Sequence, residues 1–427
     1  MTVTLEPTRP EDATPVAIAP SRLAALRPWQ RGLLYASLGM VVMSFVRAIS
    51  GADDLTSAGT VGAALRLAVP IGMAGLGGIY AERVGVVNIG LEGMMILGTW
   101  FGAWGAWQFG PWYGLLLGVG GGALGGLIHA IATVTFNVDH IISGVAVNIL
   151  AAGLARYLSV VAYDQGSGGG ATQSPPRKSE IGTITVPGIS SGLETLEKRH
   201  WFLISDVAGV IRGVTTNLSL ATIVAALILA GSFVLLWRTR FGLRLRSIGE
   251  NPYAAESLGV PVMRIKYVGV MLSGACAGYG GAVLAVVQSS IYKEGQTAGR
   301  GFIGLATMIF GNWRPGGLAV GALLFGYSDG LQLRSAGSVP ALLLLVAIVC
   351  AAVAIRHALR HRVWQAVMTG LLAIGFLVLY LEVDTISQSL TYCTPYVVTL
   401  VVLATASQRL RPPAAAGKPY RRGEEQH

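Results

Sequence analysis

Charge is scarce in this chain. Asp, Glu, Lys and Arg make up 12% of its 427 residues, about half the usual share of a soluble domain. Cysteine is nearly absent. Cys276, Cys350 and Cys393 fall in or beside apolar runs, without metal-ligand spacing and without a disulfide framework. No G-x-x-x-x-G-K-[ST] phosphate loop occurs, and the Gly run at Gly166, Gly168, Gly169 and Gly170 lacks the following Lys. Nucleotide hydrolysis by this chain is therefore not expected, and no catalytic or metal-ligating set is assigned. Residues 1–30 carry Glu6, Glu11, Asp12 and several Pro before any apolar run, which is not the pattern of a cleavable signal peptide.

What remains is apolar. Hydrophobic residues make up 53% of the chain, Gly numbers 58, and the mean hydropathy is +0.60. A helix needs ~20 apolar residues to cross a bilayer. Candidate spans cover 32–50, 62–80, 86–107, 112–135, 138–163, 217–237, 267–289, 302–314, 316–333, 339–356, 366–383 and 392–407. The 302–314 run is short, so the expectation is an all-α polytopic bundle of about eleven or twelve spans. The net charge of +10 does not point to nucleic acid, because the bases sit in short loops beside apolar runs. Arg238, Arg240, Arg244, Arg246, Arg264 and Lys266 mark 238–266 as cytoplasmic. Counting from there places both termini inside, beside Arg22, Arg27 and Arg31 at one end and Arg409, Arg411, Lys418, Arg421 and Arg422 at the other. Residues 1–30 then read as a cytosolic tail, 31–407 as the membrane domain, 164–216 as an extracytoplasmic loop and 408–427 as a basic cytosolic tail. That loop reads equally as a cap on the outer mouth and as a floppy insertion.

Small residues recur every four positions at Gly114, Gly118, Gly122 and Gly126, and again at Gly274, Gly278 and Ala282. Such stripes let helix backbones approach closely. Trp100, Trp104 and Trp107 share a helical face and read as an interfacial aromatic belt. Residues 79–93 combine Glu82 and Arg83 in a short turn with Asn88 and Glu92 inside an apolar, Gly-broken run. A charge at that depth is a functional candidate, and a discontinuous helix can present its end to a substrate. The alternative is a carboxylate that bonds a neighbouring helix. A second broken stretch lies at 299–317, around Asn312, Arg314 and Pro315. Asn88, Glu92 and Asn312 are therefore the candidate pathway residues.

The loop at 238–266 carries its own helix start. Asn251 suits an N-cap, Pro252 the first turn and Gly259 the position past the end. A short helix of that kind lies on the membrane surface and fits a groove on a cytosolic partner.

Three segments, ERVGVVNIGLEGMM at 82–95, TRFGLRLRSIGENPYAAESLGV at 239–260 and GRGFIGLATMIFGNWRPGG at 299–317, together resemble permease subunits of ATP-binding-cassette importers. The resemblance is to the branched-chain amino acid/ribose/nucleoside group, nearest its nucleoside and simple-sugar members, and the tail at 412–423 looks like that group's ending. It implies a bacterial inner-membrane subunit that binds no cofactor itself and leaves ATP to a separate ATPase. It also implies a second permease subunit, an extracytoplasmic substrate-binding lipoprotein, and Thr239, Gly242, Arg246, Gly249, Asn251, Pro252, Ala254, Ala255 and Gly259 as the ATPase-docking loop. Residues 338–383 depart from the pattern as an inserted helical pair. Ribose, simple sugars and branched-chain amino acids remain alternative substrates. An ion-gradient secondary transporter or a non-transporting membrane scaffold remains the alternative from another class.

Overall fold

The computed structural model describes residues 27–163, 166, 168–334, 338–382 and 410–421. The chain is almost wholly helical. Helix α1 covers Pro28–Ser50, α2 Ala58–Glu82, α3 Leu91–Gln108, α4 Pro111–Ala130 and α5 His140–Ala162. Helices α6 (Ile189–Glu197) and α7 (Ile204–Thr215) follow in the long loop, and α8 covers Leu220–Arg238. Then come α9 (Arg240–Glu250), α10 (Pro252–Ser257), α11 (Val262–Val283), α12 (Arg300–Phe310), α13 (Pro315–Arg334), α14 (Val339–Leu359) and α15 (Val363–Glu382). The two-residue strands β1 (Thr183–Ile184) and β2 (Leu218–Ser219) pair antiparallel at the ends of the loop.

Helix α2 is the buried centre, packed against α11, α12 and α13. Helix α11 lies in turn along α3 and α4. The glycine stripes make the α4–α11 contact: a methyl added at Gly122 would sit 2.5 Å from the Cα of Gly278. Antiparallel backbones at that distance leave no room for a larger side chain on either helix. Helices α4 and α11 each continue into a five-residue π turn, Ile131–Thr135 and Leu284–Gln288. The continuous run Val262–Gln288 has 27 residues, ~40 Å at 1.5 Å per residue, more than the ~30 Å hydrocarbon core of a bilayer. Its two ends define two opposite faces. One holds α9, α10 and the turn after α12; the other holds the 164–216 loop.

Among the described residues, eight helices are long and apolar enough to cross a membrane. They correspond to eight of the twelve runs expected from sequence. The run at 392–407 lies outside the described residues. The other three fail for physical reasons. Helix α3 starts only at Leu91 and carries Glu92 and several Gly and Trp; α13 carries Ser328 and Asp329; α12 has 11 residues. Inner helices covered by neighbours do not need a lipid-compatible surface. The chain passes from one face of the bundle to the other at 289–310 in two pieces, a non-helical stretch bonded to the long loop (Ser174 N to Tyr292 O, 3.1 Å; Arg177 N to Ser290 O, 3.0 Å) and then α12.

The long loop is folded and clipped to the bundle. Arg47 Nε of α1 lies 2.7 Å from Asp206 Oδ1 of α7, and Thr56 Oγ1 donates to the same carboxylate at 2.5 Å. Glu197 of α6 accepts from the Ala58 amide at the start of α2 and pairs with Arg212 of α7, each at 2.8 Å. Trp100 differs from an interfacial belt residue. It is buried, donates to Ser159 Oγ of α5 at 3.0 Å and stacks near Trp104. Residues 339–382 form the antiparallel pair α14–α15, which meets the bundle through α1 and through Leu331 and Tyr327 of α13.

Gly122→Leu should lower the thermal midpoint of the detergent-solubilised protein, since overpacking costs about 1–3 kcal/mol or more. Gly120→Leu on the open face of the same helix, where nothing lies within 4 Å, should leave the midpoint unchanged.

Candidate functional site

The loop between α8 and α11 is more structured than its sequence suggested. It holds two helices at an angle, because Asn251 has extended backbone (φ −151°, ψ 99°) and separates them. Thr239 caps α9, accepting from the Gly242 amide at 3.1 Å. Asn251 caps α10, accepting from the Ala254 amide at 3.0 Å, with Pro252 in the first turn. Gly259 takes φ +77° just past the end, a conformation L side chains rarely adopt.

The predicted docking residues divide into two groups. Gly242, Gly249, Pro252 and Ala255 are buried within the chain. A methyl at Gly242 would meet the carbonyl oxygen of Leu236 at 2.5 Å, and Gly249 lies against the main chain of Arg83. Arg246 is half-buried, donates through Nε to Leu236 O at 3.0 Å and stacks over Trp237. These residues seat the loop. Asn251, Ala254 and Gly259 are exposed, together with Leu258, at 84%, and Leu243. An exposed Leu at the tip of a basic loop is the part a partner would cover.

Arg83 is the junction beneath this loop. Its guanidinium donates to Trp313 O at 3.0 Å, lies over the Trp237 ring and faces Glu250 at 3.8 Å. Trp313 Nε1 donates to Glu82 at 2.5 Å. The end of α2, the end of α8, the α9–α10 corner and the turn after α12 therefore meet at one point. Residues 410–421 lie on the same junction rather than trailing away. Ala415 N donates to Gly249 O at 2.8 Å and Gly417 N to Gly85 O at 3.2 Å.

From Arg83 the chain turns back into the bundle. Asn88 Nδ2 donates to Ser273 Oγ at 2.9 Å, well inside α11. The non-helical backbone here is met by side chains. Val87 N donates to His140 Nδ1 at 3.3 Å, and Val87 O lies 3.1 Å from His129 Nε2. Asn148 donates to Ile89 O at 3.1 Å and accepts from Gly93 N at 2.7 Å. Glu92 accepts from the amides of Gly299 and Gly301 at 2.9 and 2.7 Å, at the start of α12. The broken segments 83–90 and 289–299, reaching in from opposite faces, meet at this carboxylate. Gly304 of α12 packs on Ala74 and Gly75 of α2, about 10 Å along the helix from its Glu82 end.

The three pathway candidates are thus not brought together. Asn88 is fully buried. Glu92 caps a helix. Asn312 (φ +51°) sits in the turn after α12 and accepts from Arg411 N at 2.8 Å, on the face that holds α10. Sequence reasoning passed over His129, His140 and Asn148, whose signal was polarity inside apolar runs. It also passed over Trp237 and Tyr420, which carry no such mark.

A helical bundle with eight helices long and apolar enough to cross a bilayer among its described residues, and a structured basic corner at one end, defines a polytopic membrane protein. The chain belongs to the branched-chain amino acid transport system/permease component family, whose model matches residues 60–351. It is 37% identical over 278 residues to the nucleoside ABC transporter permease NupC of Lactococcus lactis, covering 64% of this chain and 80% of the relative. It is 37% identical over 280 residues to the guanosine ABC transporter permease NupQ of Bacillus subtilis, covering 64% and 81%. A putative glucose ABC transporter permease of Haloferax volcanii is 31% identical over 280 residues, covering 65% and 78%. No solved structure matches the chain.

Glu92→Ala leaves the buried Gly301 amide and the part-buried Gly299 amide without their acceptor, the buried one costing about 1–3 kcal/mol. The thermal midpoint should fall clearly, and less for Glu92→Gln, which keeps one amide oxygen. Equal midpoints for wild type and Glu92→Ala would refute the capping role.

Proposed function

We propose that this chain is the membrane-spanning subunit of an ATP-driven importer of nucleosides in a bacterial plasma membrane. The observation that carries the mechanism is α10: a capped helix with an exposed tip, seated on buried Gly249 and Ala255 so that force on it reaches α2, α8 and α12 through the Arg83 junction. The face bearing Arg240, Arg244 and Arg264 is the cytosolic one, since short basic loops stay inside. A separate ATPase docks there and hydrolyses the ATP. A second permease subunit completes the membrane path, and a substrate-binding lipoprotein delivers substrate to the face formed by α6 and α7.

Nucleosides are favoured as substrate because the NupC and NupQ relatives, at 37% identity, carry nucleoside and guanosine in their names. The glucose-named relative favours a sugar as the second reading. An ion-coupled mechanism is disfavoured by Glu92, which already accepts two backbone amides.

Leu258→Glu and Ala254→Glu place charge on the exposed tip without touching the buried seat. Each should cut ATP-dependent uptake of labelled guanosine at least about tenfold, the equivalent of ~1.4 kcal/mol of lost docking, with permease levels in the membrane unchanged. Wild-type uptake by both variants would remove the docking role. Glucose outcompeting guanosine would move the substrate to the sugars.

A further inference from the structure

The seat of α10 has a second wall made by the far end of the sequence. Arg411 N donates to Asn312 Oδ1 at 2.8 Å, and Ala414 N to Glu250 Oε2 at 3.4 Å. Ala415 N reaches Gly249 O and Gly417 N reaches Gly85 O. Gly417 takes φ +78°, which turns the strand of chain toward α10. Pro413, Ala415 and Tyr420 are buried. The Tyr420 ring lies 5.2 Å from that of Tyr253 on α10 and 5.3 Å from Lys266 Nζ on α11. A segment that merely trailed off would not bury an aromatic ring and tie itself by backbone bonds to three separate parts of one face.

Beside Tyr420 is a groove of about 390 Å³. Glu256 of α10 lines it together with Pro261, Arg264 and Tyr420. It is continuous with the exposed tip of α10. Its lining carries one charge of each sign, Glu256 and Arg264, and Lys418 beside Tyr420 in sequence is exposed.

We propose that residues 411–421 and α10 form one composite docking surface for the ATPase, with the groove beside Tyr420 as part of it. The proposal rests on the reading of α10 as the ATPase contact. Tyr420 holds the wall of the groove. Lys418, which lies between the residue bonded to Gly85 and the ring beside Tyr253, is exposed.

The test uses the full transporter with its ATPase in membrane vesicles. A photo-crosslinking residue is placed singly at Ala254 and at Lys418 of otherwise unchanged permease. Crosslinks from both positions to the ATPase support the proposal. A crosslink from position 254 with none from 418 overturns it and leaves the α10 reading intact. No crosslink from either position, in vesicles that still transport, overturns both. In a second arm, Tyr420→Ala, which removes the buried ring that holds the 411–421 wall against α10, should reduce the ATPase retained per permease on co-purification at least about tenfold. Undiminished retention by Tyr420→Ala, with normal permease levels, overturns the proposal.

Discussion

A backbone that leaves helical geometry inside a lipid-covered bundle must still have every N–H and C=O met, because no water is there to meet them. This constraint organises the centre of the molecule. Helix α2 stops at Glu82, and the chain re-enters the bundle before α3 begins. The groups freed by that break are answered by His129, His140 and Asn148 from α4 and α5. The break on the opposite side, before α12, is answered by the Glu92 carboxylate. Each interruption is thereby tied to a different helix, so the interruptions act as joints between helices rather than as defects within one.

Close packing supplies the rigid frame around these joints. Glycine on glycine between α4 and α11, and Gly304 on α2, bring backbones together with little side-chain cushion. Helices in such contact move as a unit. The Arg83 junction connects that unit to the loop carrying α10. The α9–α10 corner is thereby bonded to the ends of α2 and α8 and to the turn after α12 at once.

Much of this was legible in the sequence where the signal is local. The cap at Asn251, the glycine at 259 and the glycine stripes each depend on a few neighbouring residues, and each stands where the pattern placed it. The helical class followed from long apolar runs. The number of crossings did not, because α3 and α13 are shielded by neighbours and need not look apolar, and α12 crosses only with the help of a non-helical stretch. Glu92 was visible as an oddity, but its partner lies more than two hundred positions away, and only the fold tells a cap from a pathway residue. The loop at 239–260 shows the same limit. Its small residues all stood out together, yet Gly242, Gly249 and Ala255 face inward and only Ala254 and Gly259 face out, a distinction set by what α9 and α10 rest upon.

Residues 410–421 come after every described helix in the order of synthesis, yet they complete the face on which α10 is mounted. While the ribosome is still threading the preceding helices into the bilayer, that face lacks its last wall. The finished outline exists only once the whole membrane domain has been made, so a half-inserted polypeptide offers an incomplete mould. The chain thus carries an order of assembly in its own topology: insertion first, completion of that face afterwards.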